Sequence, residues 1–138
     1  MNRDIRLHGL SSDHHRALVL ARSVDDLAAS WTDDDGAVLG RRFDAELEPH
    51  FRVEDDVLLP ALRRAGAAAL ADRTAEDHAF LREQIAAARA GDGGAARAFG
   101  QRLGAHVRFE ERELFPACEE LLPAKVLDEI LRVSPKRR

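Results

Sequence analysis

Residues 50–62 read HFRVEDDVLLPAL, and the same text returns at 106–118 as HVRFEERELFPAC, with His, Arg, Glu, Leu and Pro in register. Each copy opens on H-x-x-x-E, His50 to Glu54 and His106 to Glu110. Side chains four apart on a helix stand one turn apart on the same face, about 6 Å from each other. Each copy therefore offers an imidazole and a carboxylate pointing the same way. Two such pairs facing each other present two nitrogens and two carboxylates, a donor set suited to first-row transition metals. The repeat predicts a helical protein made of two similar halves around a dinuclear metal site.

The rest of the chain divides into helices around these two. The first follows Ser11-Ser12, either of which can cap it, and carries Ala17, Leu20, Ala21, Val24, Leu27, Ala28 and Trp31 at helical spacing. The stretch from Thr32 to Gly36 ends it and supplies the next cap. A second helix is expected over about 37–64, with Leu39, Phe43, Leu47, Glu54, Val57 and Ala61 along one face. Pro49 and Pro60 inside it must bend or locally break the hydrogen-bond ladder, and Gly66 closes it. A third helix spans about 68–90, and Gly91-Asp92-Gly93-Gly94 is a turn. The fourth covers about 95–120, with Pro116 standing where the second has Pro60, and a short amphipathic segment, 124–133, follows Pro123. Short connections make consecutive helices antiparallel neighbours. The expected fold is all-α, an up-down-up-down four-helix bundle forming a single domain over 1–138, with its core at about 10–120 and a helical tail at 124–138.

Composition removes several function classes. The count of 21 basic against 25 acidic residues gives a net charge of −4, against a nucleic-acid binder with a basic surface. The one basic cluster, Lys136-Arg137-Arg138, reads as a frayed, solvated end. A single cysteine, Cys118, excludes an internal disulfide and any Cys-rich zinc or iron–sulfur site, and reads as a small buried hydrophobe. No apolar run approaches the ~20 residues of a membrane span, and MNRDIRLHG lacks the apolar segment of a secretory signal. The expected location is the cytoplasm, with no membrane partner.

The six histidines separate by helical phase at about 100° per residue. His78 shares its face with Leu81, Ile85 and Ala88, and His14 shares its face with Ala17, Ala21, Val24 and Ala28. His15 points away from that face. The dipeptides Asp13-His14 and Asp77-His78 repeat as well. Each half thus supplies one lone inward histidine and one H-x-x-x-E: His14, His50 and Glu54, then His78, His106 and Glu110. A single inward histidine is ordinarily a hydrogen-bonded core residue, and a single H-x-x-x-E is ordinarily a surface pair. The ordered set reads differently. Two buried carboxylates are costly unless paired or metal-bound, and four imidazoles cannot balance them without becoming charged.

Four imidazoles and two carboxylates without thiolate disfavour calcium and magnesium, and a closed structural zinc site needs only four ligands. Two ions bridged by Glu54 and Glu110, each with two histidines, use all six residues. Open positions remain for water, oxo or hydroxo groups, or a small molecule. Iron is the expected metal, and manganese and zinc fit the same donors.

The order His…His-x-x-x-Glu…His…His-x-x-x-Glu on four helices resembles the haemerythrin-like family, also called the HHE cation-binding domain. The resemblance runs from about Leu10 to Glu120 and includes the flanking Leu10-Ser-Ser-Asp-His-His, Glu48-Pro49-His50-Phe51 and Leu114-Phe115-Pro116. It implies a carboxylate-bridged di-iron centre held by His14, His50, Glu54, His78, His106 and Glu110, binding O₂ or a related small molecule. The chain departs from the oxygen-carrying members of that family. Thr74 stands where those have a further histidine on the third helix, and Glu110 lies four residues after its histidine rather than five. Glu111 occupies the fifth position, off the inward face. Glu113, one turn beyond Glu110, faces inward and could add an oxygen ligand.

Fewer nitrogens suit O₂, peroxide or NO chemistry better than reversible O₂ carriage. The expected function is therefore a non-haem di-iron protein that binds or reduces one of these molecules, as sensor or scavenger. The alternative is an iron-responsive interaction module without turnover, using the exposed 124–138 tail as its partner element. The absence of tyrosine excludes a tyrosyl radical, and the absence of Glu-x-x-His argues against a ferritin-like site. The outer imidazole nitrogens need partners from the backbone or facing helices, because Asp13 and Asp77 are too close to their own histidines.

Overall fold

The computed structural model describes residues 3–134, and among these all regular structure is helical. Five helical stretches follow one another: α1 (5–30), α2 (33–64), α3 (Ala68–Arg89), α4 (93–121) and α5 (Ala124–Val133). α4 packs along both α1 and α3, and α3 packs along α2. Gly100 abuts Ala21 while Gly93 abuts Ala28, so α1 and α4 run antiparallel. α2 and α3 do the same, since Gly36 meets Ala88 and Arg63 pairs with Asp72. The turns after α2 and α3 use Gly66 and Gly91 at φ +87° and +102°, a left-handed conformation that only glycine adopts cheaply. No helix among the described residues is long and apolar enough to cross a membrane.

The start of α1 differs from expectation. Neither Ser11 nor Ser12 caps a helix; the chain turns helical at Ile5, where the Asp4 side chain accepts from the Arg6 backbone N–H. The cause is apolar burial upstream. Leu7 and Leu10 are fully buried, and an extended N-terminus could not place both inward. Thr32 does cap α2, in a capping box with Asp35, and Asp92 caps α4 through the Ala95 N–H.

The prolines act as expected, by a specific device. Wide π turns occupy Phe43–Leu47, Glu54–Leu58 and Glu110–Leu114, each ending one residue short of Pro49, Pro60 or Pro116. A proline ring clashes with the carbonyl four residues back and brings no N–H to bond it. A turn that bonds five residues back, as from Leu59 N–H to the Glu54 carbonyl and from Phe115 N–H to the Glu110 carbonyl, relieves that crowding. The extra residue advances the helical phase beyond the turn. Glu113 is consequently exposed, against the expectation that it faces inward, and Leu114 takes the buried position.

Two apolar clusters fill the interior. One contains Leu20, Phe43, Phe51, Leu81, Phe99 and Leu103; the other contains Leu7, Leu58, Leu62, Phe109, Phe115 and Ile130. The second includes α5, so the expectation of an exposed C-terminal tail is corrected over 124–134. Leu127 and Ile130 are buried, and Arg6 pairs with Asp128 on its outer side. Amphipathic spacing at Leu127 and Ile130 makes docking more favourable than solvation. Lys136-Arg137-Arg138 lie outside the described residues. Ile130→Ala is expected to lower stability by about 2–5 kcal/mol, read as a shifted urea midpoint of the chelator-treated protein. A change within error would mean that α5 rests on the surface.

Candidate metal centre

The layer between the two apolar clusters is polar. α1 delivers His14, α2 delivers His50 and Glu54, α3 delivers His78, and α4 delivers His106 and Glu110, all buried and both carboxylates without exposed surface. His15 is exposed, so helical phase sorted the adjacent pair as expected. The structure brings all six sequence-predicted residues together. His14 Nε2 lies 2.8 Å from Glu110 Oε1, and His106 Nε2 lies 3.2 Å from Glu110 Oε2. His78 Nε2 lies 3.0 Å from Glu54 Oε1, and His50 Nε2 lies 3.2 Å from Glu54 Oε2. His50 Nε2 is also 3.5 Å from Glu110 Oε1.

Both glutamates open a π turn, so the widened backbone sits at the two positions where a carboxylate must reach across the interior. Their donors form two groups, each able to hold a cation. One is Glu54, His78, His106 and Glu110, and the other is His14, His50 and Glu110. Within each group the donor atoms lie within 4.8 Å of one another. Glu110 belongs to both.

The outer imidazole nitrogens are held by a second ring of carboxylates. His50 Nδ1 donates to Asp13 (3.1 Å) and His106 Nδ1 donates to Asp77 (2.9 Å). His78 Nδ1 donates to Asp55 (2.7 Å) and His14 Nδ1 donates to Glu111 (2.5 Å). Asp13 and Asp77 do not serve their own histidines, as expected, yet each serves the histidine of the following helix. Asp55 and Glu111, the residues after the two inner glutamates, serve the lone histidines. Fixing Nδ1 in this way turns every Nε2 toward the centre.

The charge balance calls for positive charge in this layer, carried by protons or by cations. Burial alone would drive His106 down, but the Glu110 charge and the bond to Asp77 outweigh it and hold the imidazole up at about 10. His50 is likewise raised well above its ordinary value against burial, by the Glu54 charge and by Asp13. His14 and His78 are raised against burial by their bonds to Glu110 and Asp55 respectively. Glu110 lies well below the carboxylate range although burial opposes this, chiefly because of the His106 charge. Glu111 is pulled to about 2, its burial outweighed by the bond from His14. Protons on the imidazoles and cations between the carboxylates are alternative ways of balancing the same charge.

Glu54 Oε2, Glu110 Oε2 and His106 Nε2 are nevertheless buried without a hydrogen-bond partner. Such atoms are rare and costly in a packed interior, and all three belong to residues of the Glu54, His78, His106 and Glu110 group, which fits metal donors.

A family model described as the Hemerythrin HHE cation binding domain matches residues 5–118. The chain belongs to this family. Searches of curated proteins and of solved structures give no significant match. Membership assigns the haemerythrin HHE chain a cation-binding role, and its two buried His/Glu groups are where a metal could be held.

Helical phase within one element does not reveal which residues form the outer ring. Glu111 points off the inward face, as its helical angle predicts, yet from there it supports an imidazole. It is partly exposed and reaches back to His14. Asp55 was not singled out. The available signal was the acidic residue following each inner glutamate, Glu54-Asp55 and Glu110-Glu111, a further element of the same repeat.

Proposed function

We propose that this haemerythrin HHE chain is a non-haem di-iron protein that binds or reduces O₂, peroxide or NO, as a sensor or scavenger. His14 and His50 would hold one iron, His78 and His106 the other, with Glu54 and Glu110 between them. The observation that carries this reading is Glu110, whose two oxygens face histidines of both groups. Residues from about 10 to 120 would form an up-down-up-down four-helix bundle in a single domain around the two irons.

Iron held there supplies one-electron redox changes and open positions for a small molecule. The surrounding residues decide which molecules enter. A cavity of about 10 Å³, room for about one water, adjoins His14, His50 and Glu110. Ala17, Leu47, Phe51, Leu103 and Val107 give it a largely apolar wall, and its size suits a small molecule. His106 lines this cavity as well, so donors of both groups border it. Asp13, Asp55, Asp77 and Glu111 orient the imidazoles and make them stronger donors, which favours the more oxidised metal.

The test adds azide, NO and peroxide separately to the iron-loaded protein. Azide or NO should shift its visible spectrum with saturation, and peroxide should be consumed faster than by an equal concentration of free iron. Saturable shifts with turnover no better than free iron would favour the interaction module. No spectral response at all would overturn the small-molecule reading.

A further inference from the structure

His14 and His78, the histidines outside the H-x-x-x-E pairs, are held by matching sets of groups that lie beyond the six inner residues. Phe51 stacks on His78 with ring centroids 4.2 Å apart and planes at 19°. The Arg82 guanidinium lies 5.8 Å from the Phe51 centroid. Arg82 also donates to Asp55 at 2.9 Å and to Glu48, and Asp55 is the acceptor of His78 Nδ1–H. The same three parts recur around His14. Phe115 stacks on it with centroids 5.3 Å apart and planes at 7°, and the Arg3 guanidinium lies 5.6 Å from the Phe115 centroid. Arg3 donates to Glu111 at 3.2 Å, and Glu111 is the acceptor of His14 Nδ1–H.

Each lone imidazole is therefore fixed twice: its face by a phenyl ring and its outer nitrogen by a carboxylate. One arginine backs both. A carboxylate at the protein edge can swing into water, and a guanidinium that grips it with directed bonds removes that freedom. The two arginines reach their places differently. Arg82 lies one turn beyond His78 on α3. Arg3 precedes α1 and is anchored by Glu119 at 2.7 Å and by the Glu111 carbonyl at 3.0 Å, while Ser11 adds a hydroxyl bond to Glu111. The hydrogen bonds and ion pairs of both arginines go to residues other than the inner six.

We infer that Arg3 and Arg82 are positioning residues, each bracing one lone histidine and so controlling the retention of one metal ion, Arg3 through His14 and Arg82 through His78. The inference rests on the two-ion reading above. Retention at the His14 side then depends on a segment ahead of the first full helix, whereas retention at the His78 side is built into α3.

The test loads the full-length protein anaerobically with ferrous iron and follows its transfer to a coloured ferrous chelator. Arg3→Ala should release one equivalent on the order of tenfold faster and leave the other at the wild-type rate. Arg82→Ala should do the same to one equivalent, and the double variant should accelerate both. Arg3→Ala should add nothing in a Glu111→Gln background and retain its full effect in an Asp55→Asn background. Arg3→Lys, which keeps charge but not the planar fork, should recover part of the wild-type rate; it carries the comparison if Arg3→Ala loses helicity. Acceleration of both equivalents by either single change, or of neither, would overturn the brace. Wild-type protein that takes up fewer than two irons would instead overturn the two-ion reading beneath it.

Discussion

Glu110→Ala is expected to abolish stoichiometric binding of both metal ions, the largest effect of any single change in the chain. Its oxygens lie 2.8 Å from His14 and 3.2 Å from His106, and it is the one residue common to both cation-binding groups. Glu54→Ala should lose at least one ion, since Glu54 spans His50 and His78. The metal-free protein should also suffer. Glu110 is the leading acidic partner of His14 and His106, and breaking a buried ionic cluster by removing one partner costs about 3–5 kcal/mol. Urea unfolding with chelator present measures that term, and elemental analysis measures the metal. Two ions retained by Glu110→Ala would show that the bridging carboxylate lies elsewhere.

Metal binding should be strongly proton-linked, and the metal-free fold should lose stability as pH rises. All four histidines have raised values in the metal-free fold, His106 to about 10. A raised imidazole stabilises the fold fully below its unfolded value of about 6.5, and that contribution is lost as pH climbs through the folded value. The metal-free protein should therefore weaken from about pH 7 toward about pH 10. Metal ions need the neutral imidazoles, so uptake displaces protons and apparent affinity rises with pH over the same interval. With at least one proton displaced per ion, affinity should increase by at least about tenfold per pH unit. Calorimetry in buffers of different ionisation heat counts the protons directly. Uptake without proton release would contradict the charge balance derived for the centre.

On the acid side the sign reverses. Glu110 and Glu111 are depressed, so what they contribute is present above their unfolded values and is lost as pH falls through the folded ones.

The six central residues were legible because each lies on a regular stretch whose phase the apolar neighbours fix. Leu81, Ile85 and Ala88 orient His78, and the H-x-x-x-E spacing orients the rest. Legibility ended where that regularity ended. The π turns before Pro60 and Pro116 insert an extra residue, and an ideal helix therefore put Glu113 inward when it is exposed. The prolines announced an irregularity without specifying its form. The start of α1 was misplaced because Ser11 and Ser12 resemble caps, whereas burial of Leu7 and Leu10 carries the helix further upstream. The outer carboxylates were missed for another reason. Asp13 serving His50, or Arg3 serving Glu111, depends on how separate helices dock, and no spacing within one helix encodes that. The docked α5 belongs to the same class, since an amphipathic segment shows that it has an apolar face without showing what covers it.

The most direct test of the central claim is the metal content per chain after anaerobic reconstitution with ferrous iron and removal of excess metal, with Glu110→Ala measured beside it. Two irons per wild-type chain and none retained by the variant is the predicted result. Wild-type protein that retains no stoichiometric metal would contradict the account and leave the His/Glu layer as a protonated ion cluster.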